Sequence, residues 1–307
     1  MRPDPDLTTT VGSVTFPNPV LTASGTAGYG AELGAYVDLA TLGAVVVKSL
    51  SPEPWHGNAA PRVHETVAGM LNSVGLQNGG VEAWLEEHLP ALRRAGARVV
   101  ASIWGFTVED YARAAQMLSA AGPEVVAVEV NLSCPNLGGG SHLFAHSAGE
   151  TAEVMAATEV CGKPRWAKLS PNVTDIVAIA GAALDAGAEA LTLVNTVMGM
   201  ALTAEGGRPS LGAGGGGLSG PAMHPVAVRA VYQCRAAFGS IGIVGVGGVA
   251  RAVDAIELLR AGANAVQVGT ATFADPRAPA RVLAEMRRWC ETSGISHLAD
   301  VIGVAHV

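Results

Sequence analysis

The sequence predicts an α/β fold: a (β/α)8 TIM barrel with a short N-terminal β-hairpin and long loops at its C-terminal face. Three observations carry this prediction. Eight short apolar runs, most of them β-branched, alternate with stretches that show helical spacing of Ala, Leu and Val. Continuous runs of that length are expected for strands buried on both faces of a parallel sheet. A glycine precedes most of the runs, at the place where a chain leaving a helix favours the left-handed conformation. The connections after the second, fourth and sixth runs are long, which places variable material at strand carboxyl ends, where barrel enzymes build their sites. A doubly wound open sheet has the same alternation, but eight strands with eight helices close most economically into a barrel.

Taken in order, residues 7–16 read as a hairpin lying as a plug under the barrel, and residues 19–23 as the first strand. Gly43 precedes the second strand, residues 44–47, which ends at Lys48. Gly96 precedes the third, residues 98–103; a helix over residues 108–121 follows, and Gly122 precedes the fourth, residues 125–130, ending at Asn131. Residues 165–169 form the fifth strand and carry Lys168. A helix over residues 173–186 leads through Gly187 to the sixth, residues 190–194, ended by Asn195 and Thr196. The seventh, residues 241–246, runs into Gly247 and Gly248, with a helix starting near Ala250; Gly262 precedes the eighth, residues 265–268, followed by Gly269 and Thr270. The long connections are residues 48–80, 131–149 and 195–224. No linker or composition shift divides the chain, so one domain is predicted over residues 1–307.

Composition excludes several classes of function. The chain is 49% hydrophobic and 15% charged, with 39 glycines, which is core-forming material rather than a disordered segment. A net charge of −7, with no basic run, argues against nucleic acid as a partner. Cys134, Cys161, Cys234 and Cys290 are far apart and form no C-x-x-C pair, and the histidines have no metal-ligand spacing, so no metal or iron–sulfur site is expected. No run of 18 apolar residues offers a membrane helix, and the polar N-terminus with Pro3 and Pro5 is unlike a signal peptide. A soluble, cytoplasmic protein is the expectation.

The chemistry lies at the strand ends. Lys48, Asn131, Lys168, Asn195 and Thr196 terminate apolar runs, and in a barrel they converge on one mouth. A lysine at a strand end can simply snorkel to water, but Lys168 is flanked by Trp166, Ala167 and Leu169. Gly247-Gly248 and Gly269-Thr270 follow the seventh and eighth strands, where backbone amides bared by glycine at a helix start bind phosphate, as in a flavin mononucleotide. Cys134, between Ser133 and Pro135 after a strand end, is placed for chemistry. Cys161, Cys234 and Cys290 fall in helical segments and read as packing residues. Glycines 138–140 suit a moving lid over that cysteine. The histidines, Glu86-Glu87 and Arg287-Arg288 read as surface or packing residues.

Residues 129–136, Glu-Val-Asn-Leu-Ser-Cys-Pro-Asn, resemble the N-x-S-C-P-N signature of dihydroorotate dehydrogenases, and residues 69–78 resemble their G-M-x-N-x-x-G-x-x-N segment. The similarity continues through residues 47–50, 168–171, 195–196, 217–221 and both glycine pairs, covering nearly the whole chain in order. It implies an FMN-carrying barrel that oxidises (S)-dihydroorotate to orotate in pyrimidine (UMP) biosynthesis. Cys134 and Lys48 are then the catalytic pair, Cys134 removing a proton from C5 while a hydride leaves C6 for the flavin. The substrate set implied is Lys48, Asn72, Gly75, Leu76, Asn131, Asn195 and Thr196. The FMN set implied is Ser24, Lys48, Ser49, Asn131, Lys168, Val194, Gly220, Gly247, Gly248, Gly269 and Thr270, with Lys168 countering negative charge on the reduced flavin. Removing a proton beside a carbonyl needs a placed base. A thiol with a pKa of about 8.5 is only partly ionised near neutrality, so turnover is expected to rise with pH.

Quinone-using members carry an N-terminal extension, whereas this chain starts almost at the barrel, so the expectation is a soluble branch. Residues 69–80 and the glycine run at 137–141 resemble the NAD-linked branch (class 1B), in which catalytic subunits dimerise and a second subunit carries FAD and a 2Fe–2S cluster. A homodimer, or a heterotetramer with that subunit, is implied. Four departures stand out. Ser102 occupies the place of a flavin-contacting Asn, next to an unusual Trp104. Trp55 replaces a common Arg, Leu202-Thr203 replace an apolar–Asp pair, and residues 212–217 are unusually glycine-rich. Open alternatives are a fumarate-linked member, another FMN-dependent dihydropyrimidine oxidoreductase, a barrel lyase using Lys168 as a Schiff base, or an inactive binding barrel, against which Cys134 speaks.

Overall fold

All eight predicted strands form, and they pair in parallel around a barrel. The computed structural model describes residues 4–133 and 144–306. The barrel strands are Val20–Thr22, Val45–Val46, Val99–Ile103, Val125–Asn131, Arg165–Leu169, Ala190–Leu193, Gly242–Val246 and Ala265–Val268. The first strand pairs with the eighth, and the sheet then descends in chain order to the second. The two ends meet through the Leu21–Ala44 bridge, where Gly43 donates its N–H to the Val20 carbonyl at 2.8 Å. Thr22 completes the seam with its side chain, accepting from the Val46 amide at 2.9 Å.

Local sequence explains where the elements start and stop. Thr107 and Asp110 form a capping box on the helix Val108–Leu118. The helix Ile176–Asp185 begins three residues later than its spacing predicts, because Asp175 accepts the amides of Val177 and Ala178 and so caps it there. The helix before the third strand widens into a π turn at Trp84–His88, beside Pro90, whose nitrogen has no proton for an ordinary helical bond. Gly96, Gly187 and Gly262 are left-handed as expected. Gly43 and Gly122 are not; Gly43 is required instead by contact, since a Cβ there would lie 2.5 Å from the Asn18 carbonyl oxygen.

The barrel interior is layered. Its lower part is an apolar cluster of Leu21, Val46, Val100, Trp166 and Val244, closed from below by Val11 and Phe16 of the hairpin Thr9–Val11/Val14–Phe16. Phe16 meets Trp166 edge to face at 5.9 Å, so the predicted plug is real. A second, larger apolar cluster fills the space between strands and helices. Because inward side chains recur every second residue, Glu129 follows Ala127, Lys168 follows Trp166 and Gln267 follows Ala265. These buried polar groups form a layer between the plug and the mouth.

Two of the long connections are not irregular, contrary to their reading as loops. Residues Val63–Thr66 and Gly69–Asn72 form a hairpin, and Gly69–Asn72 pairs with Gly216–Ser219, which pairs with Val197–Gly199. This four-stranded antiparallel sheet covers part of the barrel mouth. Glycine and polar residues give its strands little intrinsic β propensity, and its central pairing joins segments about 145 residues apart, so no local pattern announces it.

Among the described residues, no helix is long and apolar enough to cross a membrane.

Candidate functional site

A cavity of about 1120 Å³ opens at the carboxyl ends of the barrel strands, beneath the mouth sheet. Every described residue nominated from the sequence lines it: Ser24, Lys48, Ser49, Asn72, Gly75 and Leu76 from the first half of the chain, then Asn131, Lys168, Val194, Asn195, Thr196, Gly220, Gly247, Gly248, Gly269 and Thr270. Cys134 lies outside the described residues. Its neighbour Ser133 lines the cavity and donates its amide to Asn131 Oδ1 at 3.3 Å.

The floor is a preset polar network. Ser49 shares hydrogen bonds with Ser24 at 3.4 Å and Ser102 at 2.9 Å, and accepts from Asn131 Nδ2 at 3.3 Å. Asn195 donates Nδ2 to Asn131 Oδ1 at 3.1 Å, and Tyr111 holds the Asn131 carbonyl at 2.6 Å. Both amide side chains are therefore oriented before any ligand arrives. Ser102 is fully buried beneath Ser49 and does not line the cavity, so this departure from the family pattern acts through Ser49.

Beside that network Lys168, itself on the cavity wall, has Nζ 3.3 Å from Glu129 Oε1, and Gln267 donates to Glu129 Oε2 at 2.7 Å. Glu129 is 0% exposed and Lys168 5%. Sequence reasoning passed over both Glu129 and Gln267. The signal was present: a glutamate inside the run of residues 125–130 must face inward to a cation or a donor, because an unpaired buried carboxylate is very costly.

On the mouth-sheet side, Asn72 donates to the Gly217 carbonyl at 3.4 Å. Gly217 packs against Thr196 so tightly that a Cβ would fall 2.0 Å from Thr196 Oγ1. The glycine-rich run is thus a packing requirement at this point. Asn172, which the sequence reading missed, donates to the Thr196 carbonyl at 2.9 Å and accepts from the Met198 amide at 2.8 Å.

On the opposite side, the main-chain N–H groups of Gly247, Gly248, Gly269 and Thr270 make no hydrogen bond to any described residue. They are available to an anion. The helix following Gly248 starts at Ala252, not near Ala250, and its first amides are already used: Ala250 and Arg251 donate to Asp254, and Ala252 donates to Glu285. The glycine loop, rather than the helix end, supplies the free donors here. His224, read from the sequence as bland, fixes this loop through Nδ1 at 2.7 Å from the Gly247 carbonyl, with Glu257 3.2 Å from Nε2. At the rim, the amide and guanidinium of Arg277 hold the half-buried Asp275 carboxyl below its ordinary range.

The three described cysteines behave as packing residues. Burial raises the thiols of Cys161 and Cys290, and pushes that of Cys234 up to about 12. All three stay protonated and unreactive at pH 8. Iodoacetamide on the native protein is expected to leave them unmodified by peptide mass spectrometry; labelling of Cys234 without denaturant would contradict its burial. Among the described residues, no group of three or more His, Cys, Asp or Glu could hold a metal ion.

The sequence model of the dihydroorotate dehydrogenase family matches residues 6–289. The chain is 46% identical, over 304 residues and 99% of each chain, to a Geobacter sulfurreducens protein named dihydroorotate dehydrogenase B (NAD(+)), catalytic subunit. A Geobacter metallireducens protein of the same name is equally similar, at 46% over 99% of each chain. A Solibacter usitatus protein with the provisional name dihydroorotate dehydrogenase A (fumarate) is 48% identical over 97% of this chain and 98% of its own.

Proposed function

The chain belongs to the dihydroorotate dehydrogenase family, and on that premise we propose that it oxidises (S)-dihydroorotate to orotate in pyrimidine biosynthesis, with FMN as its cofactor. One observation carries the reading: partnerless amides of two glycine loops and a preset lysine–asparagine floor share a single cavity. At about 1120 Å³ the cavity exceeds the roughly 300–1,000 Å³ of ordinary ligand pockets, giving room for a cofactor and a substrate together.

The amides of Gly247, Gly248, Gly269 and Thr270 would hold the FMN phosphate, with Ser24, Ser49, Lys168, Val194 and Gly220 along the rest of the molecule. Accepting a hydride from C6 of the substrate is the chemistry that FMN supplies when bound. Lys168 brings positive charge to the floor, and Glu129 holds that charge in place. On the substrate side, Lys48 counters the carboxylate, while Asn72, Asn131, Asn195, Thr196 and the Gly75–Leu76 turn present donors and acceptors to the ring amides. Cys134, on the segment directly after Ser133, is the base for the C5 proton, as the signature around it implies.

For the electron acceptor we propose NAD, reached through a partner subunit carrying FAD and a 2Fe–2S cluster, in a heterotetramer built on a homodimer of this chain in the cytoplasm. The names of the Geobacter relatives, which give NAD(+) and a catalytic subunit, support NAD and a partner subunit; the Solibacter relative favours fumarate as the second acceptor.

Anaerobic addition of dihydroorotate to the purified flavin-loaded chain tests the reaction. Bleaching of the flavin absorbance is the expected result. A flavin that stays oxidised would overturn the substrate, and failure to bind FMN would overturn the cofactor. Reoxidation by fumarate without any partner would decide for the second acceptor. Gly217→Ala is expected to lower kcat/KM about 10- to 100-fold, because Thr196 must move to admit the methyl group and small misplacements are costly. Unchanged steady-state kinetics would remove Thr196 from the substrate set.

A further inference from the structure

The geometry points to Trp55 as the positioning residue of the substrate-holding turn: its indole N–H fixes the peptide between Gly75 and Leu76 so that the Leu76 amide serves the ligand. The inference rests on the proposal that this turn binds dihydroorotate.

Ser73, Val74, Gly75 and Leu76 all line the cavity, and Trp55 does not. Leu76 has φ 61°, the one positive value among the described non-glycine residues, and Gly75 before it has φ 71°. A leucine in the left-handed region persists only where its surroundings hold it there. At Gly75 even a Cβ would come within 2.6 Å of the Asn58 amide nitrogen.

The amides of Gly75 and Leu76 make no hydrogen bond to any described residue, whereas the Gly75 carbonyl accepts from Trp55 Nε1 at 2.9 Å. In a trans peptide the carbonyl and the following N–H point in opposite directions. A bond that draws the Gly75 oxygen toward Trp55, behind the turn, therefore aims the Leu76 N–H away from Trp55. That N–H is the natural donor for a carboxylate or ring carbonyl.

Trp55 is itself firmly placed. Its backbone exchanges two hydrogen bonds with Asn78, at 2.8 and 2.9 Å. Its ring meets Phe106 edge to face at 4.9 Å, and Phe106 meets the fully buried Trp104 at 4.7 Å. Trp55 and Trp104, separate departures in the sequence, are the two ends of one aromatic column backing the turn.

Trp55→Phe keeps a ring against Phe106 and deletes the donor. Calorimetric titration with orotate is expected to show a three- to tenfold weaker Kd, about the worth of one hydrogen bond. KM for dihydroorotate should rise in step, with kcat within about twofold, and with melting temperature and FMN content unchanged. Trp55→Arg, whose guanidinium also carries N–H donors, is expected to recover most of the affinity and is the second probe should the phenylalanine variant fold poorly. A wild-type enzyme that binds orotate and a Trp55→Phe variant that binds it equally well would overturn the assignment. So would a loss of affinity that merely follows a fall in melting temperature. If the wild-type chain does not bind orotate at all, the functional reading fails first, and this inference falls with it.

Discussion

Lys168→Met is expected to lower the unfolding free energy by about 3–5 kcal/mol, the usual cost of removing one partner from a buried ion pair. Glu129 has no access to solvent, and the substitution leaves it only the hydrogen bond from Gln267. Its carboxylate would then stand uncompensated inside the barrel, fully buried. Urea unfolding of the purified variant measures the loss. Adding Glu129→Gln should recover most of it, because a neutral amide leaves no unpaired charge; this coupling is what a double-mutant cycle reads. A single-variant loss below about 1 kcal/mol would mean that the pair adds little and that Glu129 finds another partner. The same experiment separates two roles of Lys168. If stability returns in the double variant while FMN reduction stays slow, its charge matters to the chemistry as well as to the fold.

Cys134→Ser is expected to cut kcat for dihydroorotate oxidation about 10²–10⁴-fold, the contribution typical of a positioned general base. A serine hydroxyl ionises far less readily than a thiol, so it is similar in size but offers almost no ionised base near neutral pH. Substrate affinity and FMN content should be nearly unchanged, since Cys134 belongs to neither binding set. Anaerobic stopped-flow reduction of the flavin is the direct measurement. A loss smaller than tenfold would move the base to another group. Combined with the alkylation test, the result separates Cys134 from Cys161, Cys234 and Cys290, whose thiols burial holds protonated.

The polar layer makes the two predictions parts of one arrangement. The apolar plug of Val11, Phe16 and Trp166 closes the barrel from below and excludes water. Above it the Glu129–Lys168–Gln267 group supplies a buried ion pair whose geometry its hydrogen bonds fix. The serine–asparagine network then carries that order up to the cavity surface.

Much of this was legible in the residues alone. The eight short apolar runs, most of them β-branched, specified the barrel strands because a strand buried on both faces must be apolar at nearly every position. The polar residues that end those runs, Lys48, Asn131 and Asn195, specified the mouth, since strand direction in a parallel barrel brings all carboxyl ends together. The glycine pairs at 247–248 and 269–270 were readable for the same reason. What the tertiary structure decided was everything that depends on register between distant segments. The pairing of Gly69–Asn72 with Gly216–Ser219 joins two connections that look irregular in isolation. Glu129, Lys168 and Gln267 meet only because three separate strands are staggered to the same height in the barrel. The column of Trp55, Phe106 and Trp104 and its hold on Gly75 also join residues from different connections. Periodicity reports which face a residue occupies, but not which residue of another strand stands opposite it; that is set by barrel closure and packing.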